Sequence, residues 1–131
     1  MSPVSDRALW FGLWGAPAAW SLQLIADYAV AAHGCFPHQT PLSRPVLAVH
    51  VITGIFGGLA VLIALAALVV SARNWATARR AGAAVEDEVR TGPKHLARVR
   101  FMAVAGMMTG TLFAFGAVLN AISPALVPPC W

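Results

Sequence analysis

Residues 46–72 read VLAVHVITGIFGGLAVLIALAALVVSA, and His50 is the only ionisable side chain among them. A bilayer core of about 30 Å needs about 20 mostly apolar residues in helical form. This stretch is longer than that. Two further stretches share its character. Residues 8–33 carry no ionisable group from Ala8 to Ala26, and residues 101–123 carry no charge at all. Backbone groups in lipid must be satisfied within each span, so all three are expected as helices. Barrel strands would be about 10 residues long and alternate in polarity. Nothing in this chain alternates.

The expected fold is therefore an all-α membrane protein. It is a single bundle over residues 1–131, with three transmembrane helices at about 8–33, 46–72 and 101–123. A cytoplasmic loop follows at about 73–100. Composition points the same way. The chain has 131 residues, of which 59% are hydrophobic and 11% charged, and its mean hydropathy is +0.71. A soluble domain is roughly 45–50% apolar and about 25% charged. So apolar a chain does not stay disordered, and a soluble domain of this size cannot bury so much apolar surface.

Orientation follows from the basic residues. Seven of the nine lie between the second and third spans: Arg73, Arg79, Arg80, Arg90, Lys94, Arg98 and Arg100. Residues 34–45 hold only Arg44, and the N-terminal end holds Arg7. The positive-inside rule puts the N-terminus and the basic loop in the cytoplasm, and the C-terminus in the periplasm. Trp10, Trp14 and Trp75 then lie near the inner surface and Trp131 near the outer one. Ala16-Pro17-Ala18 has the look of a signal-peptide cleavage site, but the apolar run continues well past it. Trp75–Val89 has the composition to extend the second helix, with Gly92-Pro93 as its breaker. The acids Glu86, Asp87 and Glu88 sit within the basic run, which favours a solvated hairpin over a lipid-binding patch. The pI near 10.1 reflects topology, and no nucleic-acid partner is expected.

Small residues govern helix approach in lipid. Gly54 and Gly58 form a GxxxG on the second helix, Gly106 and Gly110 form one on the third, and Gly12 with Ala16 makes a weaker version on the first. Each is a candidate for internal packing or for docking another protein. The topology also puts Cys35 and Cys130 together on the oxidising side, where a disulfide between them is expected. His33, His38 and His50 lie near that side. They raise copper, zinc or haem as alternatives, although a cysteine held in a disulfide is no ligand.

Asp27 is the most unusual residue. It lies roughly 9 Å inside the outer end of the first helix, where a carboxylate costs about 2.5–3.5 kcal/mol on insertion scales. Gln23 is one turn away on the same face. His50, Thr53 and Asn120 fall at comparable depth on the other helices. A polar clamp among these five is favoured over a proton-relay or quinone-site carboxylate. Met102, Met107 and Met108 read as packing residues. No phosphate loop, zinc-protease motif or nucleophile elbow is present. No catalytic residue is assigned, and the chain is not expected to be an enzyme by itself.

The run Gly15-Ala16-Pro17-Ala18-Ala19-Trp20, then Gln23-Leu24, Tyr28 and Cys35, and the ending Pro128-Pro129-Cys130, carry a resemblance. They resemble a group of small bacterial three-helix membrane proteins encoded near haem–copper oxidase and other respiratory genes. The resemblance covers mainly the first helix and the C-terminal end. It implies a multi-pass protein of the bacterial inner membrane. It also implies an accessory or assembly role near a terminal oxidase, with respiratory-oxidase subunits as partners, and no resident cofactor is expected. A metal- or haem-handling protein using the three histidines is the alternative. A small proton-coupled transporter built on Asp27 is a third.

Overall fold

A computed structural model describes residues 4–36, 46–85, 93–127 and 130. Three helices make up the fold: α1 Asp6–Cys35, α2 Leu47–Val85 and α3 Pro93–Leu126. Ser5 caps α1, its hydroxyl accepting from the Ala8 N–H at 3.3 Å. Asp6 adds a negative charge to the first turn, where the helix dipole favours it. Pro93 opens α3, a position where its missing N–H costs nothing.

The long helices differ from the expected spans at one end of the bundle. Residues 73–85 and 93–100, expected as loop, are helical. Thus α2 runs about three and a half turns past the apolar stretch, as the composition of Trp75–Val89 allows, and α3 begins at Pro93 rather than near Phe101. The acids Glu86, Asp87 and Glu88 lie outside the described residues. Among the described residues two helices are long and apolar enough to cross a membrane: α2 over Leu47–Gly82, with an 18-residue window of mean hydropathy 2.6, and α3 over Leu96–Leu126, with one of 1.8. α1 lies below them on that scale, because Trp10, Trp14, Trp20, Pro17, Ser21 and Gln23 dilute its aliphatic content.

Every pair of helices packs directly, and the seams are built from small side chains. On α2 the buried positions from Thr53 onward are Thr53, Gly57, Ala60, Ala64, Ala67, Ser71, Asn74 and Ala78, with Val49 buried one turn before them. They alternate in steps of four and three. On α1 the series is Leu9, Gly12, Ala16, Ala19 and Gln23, in steps of three and four. α3 contributes Val99, Ala103, Gly106, Gly110, Ala114 and Ala117. A mean step near 3.5 keeps a seam facing its neighbour along a helix, and small residues let backbones approach. Ala16, Ala64, Ala67 and Ala114 form the middle of the core. Leu9, Ala78, Val99 and Met102 close the end where α1 begins.

The approach is closest where Gly12, Ser71 and Gly106 meet. A Cβ added at Gly106 lies 2.5 Å from Ser71 Oγ and 3.0 Å from the Gly12 carbonyl oxygen. Nearby, Pro17 leaves the carbonyl of Leu13 without its usual N–H partner. Thr109 Oγ1 on α3 lies 3.5 Å from that carbonyl, while its shorter bond, 2.9 Å, goes to Ala105 O. Trp20 meets Phe113 edge-to-face at 5.4 Å between ring centroids. Large apolar side chains point outward. Leu22, Ile25, Leu62, Phe101, Leu112 and Phe115 are each more than 60% exposed.

Candidate functional site

The end of the bundle opposite Leu9 gathers most of the polar chemistry. Cys35, at the last residue of α1, is joined to Cys130 with Cα atoms 4.9 Å apart. This is the pairing expected from topology. Gly34, beside Cys35, packs against Val49 near the start of α2. The bridge and this contact hold the three helix ends together.

Asp27 and Asn120 meet as the depth matching predicts. Asn120 Nδ2 donates to Asp27 Oδ2 at 3.0 Å, linking α1 to α3. The second carboxylate oxygen, Oδ1, is buried and has no partner among the described residues. Gln23 is 2% exposed and lies at the junction of all three helices. A Cβ on Gly57 of α2 would touch both Gln23 Nε2, at 3.2 Å, and Ala121 of α3, at 2.9 Å. Yet neither Nε2 nor Oε1 of Gln23 finds a hydrogen bond among the described residues.

The other expected members of the clamp stay apart from it. Thr53 is buried, but its hydroxyl bonds back to its own helix, at Val49 O (3.0 Å) and His50 O (3.1 Å). A threonine in a helix satisfies itself this way, so it has no donor left for Asp27. His50 is half-buried and makes no side-chain bond to the cluster. His33 is exposed, and its Nδ1 is 2.9 Å from the Ala29 carbonyl one turn earlier. His38 lies outside the described residues. Cys35 is unavailable as a ligand because its sulfur is bonded to Cys130. Among the described residues no group of three or more His, Cys, Asp or Glu side chains is placed to hold a metal ion.

The two expected glycine pairs separate sharply. Gly106 and Gly110 are buried against α1 and α2, the latter 3.4–3.5 Å from Leu68 for an added Cβ. They are internal packing, and their role as a docking face does not hold. Gly54 and Gly58 are exposed, with nothing within 4 Å of an added Cβ. The α2 glycine that packs inward is Gly57, which GxxxG spacing alone did not single out. Comparison with protein-family models, curated proteins and solved structures gives no match.

Proposed function

We propose that this chain is a non-catalytic accessory or assembly subunit of a bacterial inner-membrane complex, with all three helices crossing the bilayer. The N-terminus is cytoplasmic and the C-terminus periplasmic in this reading. The inverted packing supports it. Alanine and glycine fill the seams while Leu22, Leu62, Phe101 and Phe115 face outward. In water such a surface is an aggregation liability, whereas in lipid it is the solvated face and small residues are the packing face.

The docking role rests on one observation. Gly54 and Gly58 are the described glycines with no neighbour within 4 Å, so α2 presents a shallow notch that its own bundle does not use. A transmembrane helix of a partner subunit fits such a notch by close backbone approach. The partner class proposed, a haem–copper oxidase or related respiratory complex, comes from the sequence resemblance.

The test is isolation of the tagged chain from native membranes in mild detergent, with companions identified and quantified by mass spectrometry. Oxidase subunits in stoichiometric amounts are the expected result. Gly58→Leu, whose Cβ meets nothing within 4 Å in the bundle, is expected to lose them while the purified variant keeps its helicity. A chain that emerges alone overturns the subunit reading. A Gly58→Leu variant that keeps its companions overturns the docking face.

A further inference from the structure

A shallow apolar groove of about 340 Å³ lies along α1, lined by Trp10, Phe11, Trp14, Ala18 and Leu22, with Ile63 of α2 as its far wall. From Trp10 to Leu22 it follows roughly 18 Å of α1 at the helical rise. Half of a bilayer core is roughly 15 Å, so the groove has the length of one acyl chain in one leaflet. Ile63 is about 140° or more around α2 from Gly54 and Gly58, and the groove is therefore separate from the docking face proposed above.

Positive charge gathers at one mouth of this groove. Arg7 precedes Trp10, Phe11 and Trp14 by three, four and seven residues, so all four share one face of α1. Trp10 and Trp14 are each more than half exposed, and Arg7 is exposed as well. α2 supplies a second guanidinium. Gly12 of α1 meets Ser71 and Gly15 meets Ala67, so these helices run antiparallel, and Arg73, two residues past Ser71, comes level with Trp10. Arg73 is exposed. It lies roughly 80° around α2 from Ile63, on the side away from Ser71, which places it at the edge of the mouth. Among the described residues this end carries six arginines, Arg7, Arg73, Arg79, Arg80, Arg98 and Arg100, against one acid, Asp6. The acids Glu86, Asp87 and Glu88 follow Val85, which is about 18 Å farther along α2 than Arg73.

The occupant must suit both parts. A partner helix needs small residues for close approach, and Trp10, Phe11 and Trp14 hold one off. An acidic peptide would answer the arginines and leave the apolar wall uncovered. An amphiphile with a negative head and a tail one leaflet long answers both. We infer that the groove holds one anionic phospholipid, its phosphate at Arg7 and Arg73 and one acyl chain along α1 toward Leu22. Guanidinium groups fork onto phosphate oxygens through paired N–H donors, and tryptophans favour the level of the head groups. The surplus of arginines selects a head of net negative charge over a zwitterionic one, whose ammonium it repels. The inference rests on the reading that α1 crosses the bilayer.

The full chain is reconstituted into vesicles of phosphatidylcholine and phosphatidylglycerol, with dibrominated acyl chains on one lipid or the other. Bromine quenches tryptophan on contact. At equal mole fraction, brominated phosphatidylglycerol is expected to quench more than brominated phosphatidylcholine. The excess is expected to vanish when Trp10 and Trp14 are both replaced by phenylalanine. Arg7→Gln and Arg73→Gln are each expected to lower the preference for phosphatidylglycerol about fivefold, the weight of one basic residue beside an anionic surface. Arg98→Gln, on α3 and outside the groove, is expected to leave it unchanged. Ala18→Phe, which fills the groove and keeps both arginines, is expected to reduce the excess. No quenching by either lipid overturns the membrane reading and the site with it. Equal quenching by the two lipids, an excess that survives without Trp10 and Trp14, or a preference lost as fully in Arg98→Gln as in Arg7→Gln overturns the site and leaves the membrane reading standing.

Discussion

Replacing Gly106 and Gly58 by alanine, one at a time, separates packing from helix propensity. Both glycines lie in helix interiors, so each substitution gains about the same propensity, up to about 1 kcal/mol. That gain cancels in the difference between the two variants. At Gly106 the new methyl meets Ser71 Oγ at 2.5 Å and the Gly12 carbonyl oxygen and carbon at 3.0 and 3.2 Å. Ser71 is 1% exposed and has little room to turn away, and the Gly12 contacts are backbone. α1 and α3 must therefore separate locally by a few tenths of an ångström. Overpacking of this kind costs about 1–3 kcal/mol. At Gly58 the methyl meets nothing within 4 Å. Gly106→Ala is thus expected to be less stable than Gly58→Ala by about 1–3 kcal/mol. Unfolding of the oxidised protein is followed by tryptophan fluorescence as mild detergent is replaced by dodecyl sulfate, and the chain's five tryptophans supply the signal. Equal stabilities within about 0.5 kcal/mol, or a larger loss at Gly58, would refute the three-helix contact at Gly12, Ser71 and Gly106.

Other perturbations have graded outcomes in the same assay. Cys35→Ser opens a bridge spanning 95 residues and is expected to cost about 2–4 kcal/mol. The unreduced wild-type chain should resist alkylation at both cysteines until a reductant is added. Asn120→Ala strips Asp27 of its hydrogen bond and is expected to cost about 1–2 kcal/mol. Asp27→Leu combined with Asn120→Leu should recover most of that loss, and a double variant worse than Asn120→Ala would mean that Asp27 has another partner. Thr53→Val removes a hydroxyl that bonds only to its own helix, so a change under about 0.5 kcal/mol is expected. A loss above about 1 kcal/mol would tie Thr53 to the Asp27 cluster after all.

The helices were legible because uninterrupted apolar length is a strong signal. The extensions of α2 and α3 at the Leu9 end of the bundle were less so. Residues 73–85 and 93–100 carry charges that suit either a solvated loop or a solvated helix, and composition does not choose between them. The Asp27–Asn120 pair and the Cys35–Cys130 bridge followed from matching depths along α1 and α3, which run parallel. Thr53 was misread because a side chain at the right depth can be satisfied by its own backbone. The glycines show the limit of a spacing motif. Gly57 and Gly58 are neighbours about 100° apart on the helix, and GxxxG from Gly54 selects the one that faces outward. The steps of four and three through Thr53, Gly57, Ala60, Ala64, Ala67 and Ser71 carry the correct face. That pattern consists of small residues among large ones, so a search for apolar periodicity passes over it.

The bridge at one end of the bundle also decides how the molecule is able to move. α1 and α3 are fastened at Cys35 and Cys130, so neither can slide along or part from the other there. The far end, where α1 begins, α2 ends and Arg100 lies against Gly82, has no covalent tie between α1 and α3 and is held by packing alone. The protein behaves as a clothes peg with its spring on the cysteine side. Reduction removes the covalent tie and leaves α1 and α3 held at that end by the Asp27–Asn120 hydrogen bond and further along by the close approach of Gly12 and Gly106.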